Sequence, residues 1–160
     1  MNTDLLGTVE PPIQQFVPVC VVVSPQELAQ TWDQHEALYR RALEYSWQAS
    51  DTAENVSQAL AQGRAWAIDV KMGDELLASA VVEKIETKKG PVLNIWCCAG
   101  DAMDEWLGDI LEAIENWALV VQANSVMLSG RQGWQRELKK YGYKTSNITL
   151  VKGLSNVSGW

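Results

Sequence analysis

This chain of 160 residues has one histidine and three cysteines, so nitrogen and sulfur metal ligands and thiol nucleophiles are scarce. Each shortage excludes a class of chemistry. His35 has no second histidine beside it, and Cys20, Cys97 and Cys98 lack the paired spacing of a zinc or iron–sulfur site. No metal set is complete. Without an obvious nucleophile to serve, His35 is expected on the surface or in helix packing rather than in catalysis. Cys97 and Cys98 are neighbours on an apolar run, so a strand would point them to opposite faces. The turn after them is acidic, the reverse of the cationic setting that makes a thiol reactive. Reduced, mostly buried thiols are expected.

Long apolar runs are missing too, and none approaches the ~20 residues that span a bilayer. Met1-Asn2-Thr3-Asp4 has neither the basic start nor the apolar core of a secretory signal. A cytosolic protein with no membrane partner is expected. At 47% apolar and 21% charged, the chain can bury a core of its own.

Charge is plentiful but unevenly placed. The total is -7, yet residues 130–152 hold six bases, Arg131, Arg136, Lys139, Lys140, Lys144 and Lys152, against Glu137 alone. That stretch is +5, which leaves -12 for the rest. So acidic a body repels phosphate, and a nucleic-acid partner is not expected. A basic patch upon it suits an acidic protein partner, including a second copy of the chain.

The pattern along the chain gives one globular domain over residues 17–152. A polar arm, 1–16, precedes it and a Ser/Gly-rich tail, 153–160, follows. Val17–Val23 is a β-branched first strand. Ser24-Pro25-Gln26-Glu27 opens a helix that runs to about Trp47, with room for a break near Gln34-His35. Asp51 is expected to cap a second helix, which Gly63 ends. Strands Arg64–Lys71, Leu76–Ile85 and Val92–Cys98 follow at short turns and read as an antiparallel meander. Trp106, Leu107, Ile110, Leu111, Ile114, Trp117, Ala118 and Val121 make the apolar stripe of a long helix, 101–123. Ser125–Ser129 is a short strand, Arg131–Lys140 a short helix, and Tyr143–Lys152 alternates as a last strand.

The junction between the central strand and the long helix is Cys97-Cys98-Ala99-Gly100-Asp101-Ala102-Met103-Asp104-Glu105. A helix start after a strand suits a phosphate, because backbone N–H groups and the helix dipole converge there. Here three carboxylates and a single glycine stand in that place. The acids favour the helix by capping and by the macrodipole, and they repel a pyrophosphate.

The order of elements, together with Val126-Met127-Leu128 and the closing run Gly130 to Tyr143 that ends Lys140-Tyr141-Gly142-Tyr143, resembles the GNAT superfamily of N-acyltransferases. The resemblance implies an α/β (α+β) fold with a mixed, mainly antiparallel central sheet flanked by helices. In its active members it implies acetyl-CoA as cofactor, a glycine-rich cofactor loop, and often a general-acid tyrosine and a general-base carboxylate. This chain departs at each place. Cys98–Met103 is no such loop, Leu138 stands where the tyrosine often is, Arg131 replaces the asparagine that often opens the closing helix, and Leu93-Asn94-Ile95-Trp96 holds no carboxylate. Glu83 and Glu86, on the preceding strand, are the nearest substitutes. The chain is similar to the cofactor-loop-lacking GNAT-like proteins of tailed phages, some packaged in the virion. That implies a non-catalytic assembly or interaction role with neither catalytic residues nor cofactor. The competing expectation is an active acetyl-CoA-dependent N-acetyltransferase with an atypical loop. For the first, the contact residues are Arg131, Trp134, Arg136, Lys139 and Lys140, since an aromatic among arginines is a frequent anchor of protein interfaces.

Overall fold

Five strands in the order β1-β2-β3-β4-β5 form the sheet of the computed structural model, whose described residues are 17–46 and 48–154. They are β1 Val19–Val23, β2 Ala65–Met72, β3 Glu75–Thr87, β4 Gly90–Gly100 and β5 Ser125–Leu128. The first three pairings are antiparallel and β4–β5 is parallel. This is the mixed, mainly antiparallel sheet expected. The β2–β3 turn holds Gly73 and the β3–β4 turn ends at Gly90, both with positive φ, which glycine adopts without a Cβ clash. The arm 1–16, Trp47 and the tail from 155 onward lie outside the described residues.

Helices cover both faces in the unit formed by residues 1–129. On one face lie α1 Pro25–Gln30, α2 Trp32–Leu43 and α3 Ala53–Ala61. Leu28, Tyr39, Leu43, Val56 and Leu60 form a core there with Ala65, Ala67, Val81 and Cys97 of the sheet. On the other face lies α4, Met103–Val120, which packs on β1, β2 and β5 and buries Trp106, Leu107, Ile110, Leu111, Ile114 and Ala118. Burial of each large side chain contributes ~1.5–3 kcal/mol, so this stripe fixes α4 on the sheet. Trp66 of β2 meets Trp117 of α4 edge to face, ring centroids 5.6 Å apart. Trp106 is almost wholly buried, whereas Trp66, Trp96 and Trp117 are half-buried rather than core.

Several boundaries differ from expectation, each for a local reason. The first helix breaks at Thr31, not at Gln34-His35. The Thr31 hydroxyl donates to the Glu27 carbonyl at 3.0 Å, and the Thr31 carbonyl faces Nδ1 of His35 at 3.0 Å. Side-chain bonds of this kind compete with the helix ladder. Thr52, not Asp51, caps α3, accepting the Asn55 N–H at 3.1 Å. At the start of α4 no carboxylate caps. The N-cap is Ala102, at φ 55°, with no side-chain bond. Asp104 and Glu105 therefore act there on the helix dipole alone.

The unit formed by residues 130–160 contains α5, Gln132–Lys139, which Tyr141 and Gly142 end. Leu138 is its buried residue. Tyr143–Lys152 forms no strand, contrary to its alternation. Alternation supplies a face to bury and no ladder partner, and no strand is stable unpaired. Residues 144–152 are exposed along their whole length.

Candidate functional site

Strand β4 carries an extra residue at its middle. Val81 pairs with Cys97 and Val82 with Ile95, so Trp96 has no opposite number in the antiparallel ladder. A bulge of this kind re-aims side chains. The Trp96 indole N–H donates to Asp51 Oδ1 at 3.0 Å, and the other Asp51 oxygen accepts the Ser46 hydroxyl in a very short bond. These contacts tie the end of α2 and the start of α3 to the bulge. The β4–β5 pairing ends at Ile95 and Leu128. From Trp96 to Gly100, β4 has no strand on that side among the described residues.

A cleft of about 480 Å³ lies at this place, lined by Asp51, Arg64, Glu83, Asn94, Trp96 and Met127 among others. Its polar groups largely satisfy one another. Glu83 is half-buried and accepts from the Asn94 amide at 3.1 Å, and Arg64 Nε donates to Gln62 at 2.8 Å. The Asn94 carbonyl oxygen is buried without a partner. Of the two acids of β3, Glu83 lines the cleft, beside Asp51, while Glu86 is exposed and outside it. The Asp51–Trp96 latch escaped sequence reading because 45 residues separate its members and no spacing signals it.

The residues of the β4–α4 junction do not fit a diphosphate. β4 stays paired with β3 up to Gly100, and only Asp101 and Ala102 separate it from α4. There is no loop to wrap an anion. A Cβ at Gly100 would lie 2.6 Å from the Leu77 carbonyl oxygen and would collide with the Ala78 side chain. The glycine thus serves strand packing. The Trp106 indole occupies the Asp101 carbonyl at 2.6 Å, and Asp101, Asp104 and Glu105 are exposed around the helix start. Arg41 lies 3.3 Å from Asp101, a surface pair that adds little stability.

All five expected contact residues lie on or beside α5. Arg131 is its N-cap, Arg136 and Lys139 are exposed, and Lys140 pairs with Glu137 at 3.2 Å. Trp134 is half-buried rather than the open anchor the sequence suggests.

His35 is neither a surface residue nor near the cleft. It is 2% exposed, in helix packing, with Nε2 at 2.8–2.9 Å from both oxygens of Asp69, itself 0% exposed. Nδ1 faces the Thr31 carbonyl. Nδ1 also lies 3.2 Å from the Thr31 hydroxyl, so the ring donates through Nε2 to Asp69 in either protonation state. Burial opposes the charge, but the bonds to Asp69 and Thr31 and the Asp69 charge outweigh it, so the His35 pKa is raised. Burial likewise pushes the Cys98 thiol up to about 12, and Cys97 and Cys20 upward. None is a thiolate nucleophile at neutral pH.

No family model matches the sequence, and no curated protein is significantly similar to it. Solved structures do match. One is an aminoglycoside acetyltransferase from an uncultured soil metagenomic sample, in complex with sisomicin: 12% identity, 91% of this chain and 99% of that one, TM-score 0.62. Another is a predicted acetyltransferase with acetyl-CoA from Clostridium acetobutylicum: 13% identity, 86% and 97% coverage, TM-score 0.59. A third is a GNAT family acetyltransferase of Staphylococcus aureus: 11% identity, 86% and 99% coverage, TM-score 0.62. At such identities the likeness is one of fold, and the fold of this chain is that of the GNAT acetyltransferases.

Proposed function

We propose that this chain is a GNAT-fold protein that acts by binding protein subunits, other chains or its own, rather than by acyl transfer. A virion-associated protein of a tailed phage is the instance proposed. The observation that carries the reading is the β4–α4 junction, with two residues where a phosphate loop would be and three carboxylates around the helix start. Each like-charge contact costs on the order of 1 kcal/mol even in high-dielectric surroundings, and several act together on a diphosphate. The partner surface proposed is the basic unit, with Arg131, Trp134, Arg136, Lys139 and Lys140, against an acidic face. Calorimetric titration with acetyl-CoA tests the reading. No binding is expected, and low-micromolar affinity would overturn it.

A second reading has its own support. The solved neighbours are acetyltransferases, one of them with acetyl-CoA bound, and Glu83 stands at the cleft beside the open edge of β4. On that reading the chain is an N-acetyltransferase, the open edge takes an amide-bearing cofactor arm, and Glu83 takes the proton of an amine. Acetyl-CoA turnover with an amine, lost in Glu83→Gln, would establish it.

A further inference from the structure

The cleft beside the Trp96 bulge is lined by side chains that the fold leaves idle. Gln48, Ser50, Gln58 and Ser129 are exposed there, and their side chains bond to no protein group among the described residues. Arg64 uses only Nε, on Gln62, so both of its terminal nitrogens are open. Together these groups offer donors and acceptors side by side. The carboxylates are largely served already. Asp51 takes the Trp96 indole and the Ser46 hydroxyl, and one oxygen of Glu83 takes the Asn94 amide. With Arg64 they leave the lining at a net charge of -1. Trp96, Ile95 and Met127 supply its apolar part.

We propose that this cleft binds a neutral saccharide. The site goes beyond the assembly reading and does not depend on it. A polyanion would meet two carboxylates against one guanidinium. A lone ammonium would find one oxygen not already accepting, on Glu83, and would leave the carboxamides and hydroxyls unused. An apolar ligand would desolvate those groups without pairing them. A sugar hydroxyl is donor and acceptor at one atom, and a carboxamide answers it with both. Arg64 adds a fork of donors for adjacent hydroxyls. The C–H face of a sugar ring is apolar and matches a flat indole. That indole is held in place beforehand, since Asp51 anchors its N–H at 3.0 Å beside the bulge. A contact set in advance loses less freedom on binding. At about 480 Å³ the cleft has the size of a small-molecule site.

The test uses the full chain labelled with nitrogen-15 and follows the Trp96 indole N–H by NMR, assigned by its loss in Trp96→Phe. Glucose, galactose, N-acetylglucosamine and maltose are the neutral probes, and glucosamine is the charged counterpart of glucose. A saturable shift of the Trp96 signal with at least one neutral sugar is expected. Arg64→Ala is expected to weaken that binding about tenfold or more and Gln58→Ala about threefold, since bonds to charged groups are the stronger. Both side chains are exposed, so both variants should keep the wild-type melting curve. Glu86→Gln, outside the cleft, should bind as wild type. No saturable shift with any neutral sugar up to its solubility, a response to glucosamine without one to glucose, galactose, N-acetylglucosamine or maltose, or binding indifferent to both Arg64→Ala and Gln58→Ala would overturn the proposal. Acetyl-CoA binding in a parallel titration would sink the non-catalytic reading alone and leave an observed sugar site standing. A chain that ignores both acetyl-CoA and the neutral sugars would do the reverse.

Discussion

Removing one member of the His35–Asp69 pair is expected to cost more than removing both. The two side chains are 2% and 0% exposed, and Asp69 receives His35 Nε2 on both of its oxygens. His35→Leu leaves a buried carboxylate facing Leu, which costs about 3–5 kcal/mol. That is a large part of the ~5–15 kcal/mol that holds a domain folded. Asp69→Val strands the imidazole instead, at a similar cost. The double variant replaces the pair with apolar groups and is expected to lie near wild type, because exchanging a buried ion pair for packed hydrocarbon is often neutral. Urea unfolding followed by tryptophan fluorescence gives the three differences. The pH dependence adds a sign. The folded His35 pKa is raised above 6.5, so the pair's pH-linked stability is full below pH 6.5 and declines as pH rises through the folded value. Measurement should stop near pH 8.5, since the three thiols, all raised by burial, add a decline of the same sign above their unfolded values. Additive single costs, or a wild-type stability that rises from neutral to mildly basic pH, would refute the charged-pair assignment.

Trp106→Ala is expected to cost about 3–5 kcal/mol, because Trp106 is 1% exposed and its indole N–H closes the start of α4; Trp117→Ala, at a half-buried site with an unpartnered indole N–H, should cost visibly less in the same thermal melt. Gly100→Ala is expected to destabilise by about 1–3 kcal/mol, since its Cβ would meet Leu77 and Ala78, and an unchanged melting temperature would show that β3 can yield. The pair Asp104→Asn and Glu105→Gln should lower stability by about 0.3–1 kcal/mol per charge removed from the helix start, with the fold unchanged by circular dichroism.

Much of this architecture was legible because burial leaves a periodic mark. The α4 stripe from Trp106 to Ala118 and the alternation of Trp66, Ile68 and Val70 place both elements without a structure. What escaped has no period. The break at Thr31 depends on a carbonyl shared with the His35 ring, and the bulge at Trp96 falls in an unbroken apolar run. Asp51 reads as a cap from its position, yet its carboxylate serves Trp96 and Ser46, two contacts made across the fold. The segment 143–152 failed in the opposite sense. Its alternation is real, but a strand needs a neighbour as well as a pattern, and the pattern says nothing of where the neighbour is.

Packing alone accounts for the residues of the β4–α4 junction. Gly100 is required by the approach of Ala78, the Asp101 carbonyl by the Trp106 indole, and the apolar stripe by the sheet beneath it. None of these demands involves a bound anion. Carboxylates at Asp104 and Glu105 even suit the helix start, because they complement its dipole. A chain under no need to hold a diphosphate can therefore place acids there at no loss of stability. The side chains around the junction report on ligand chemistry and the backbone reports on packing. In this chain the backbone keeps the fold of the acetyltransferases, and exposed carboxylates stand around the start of α4.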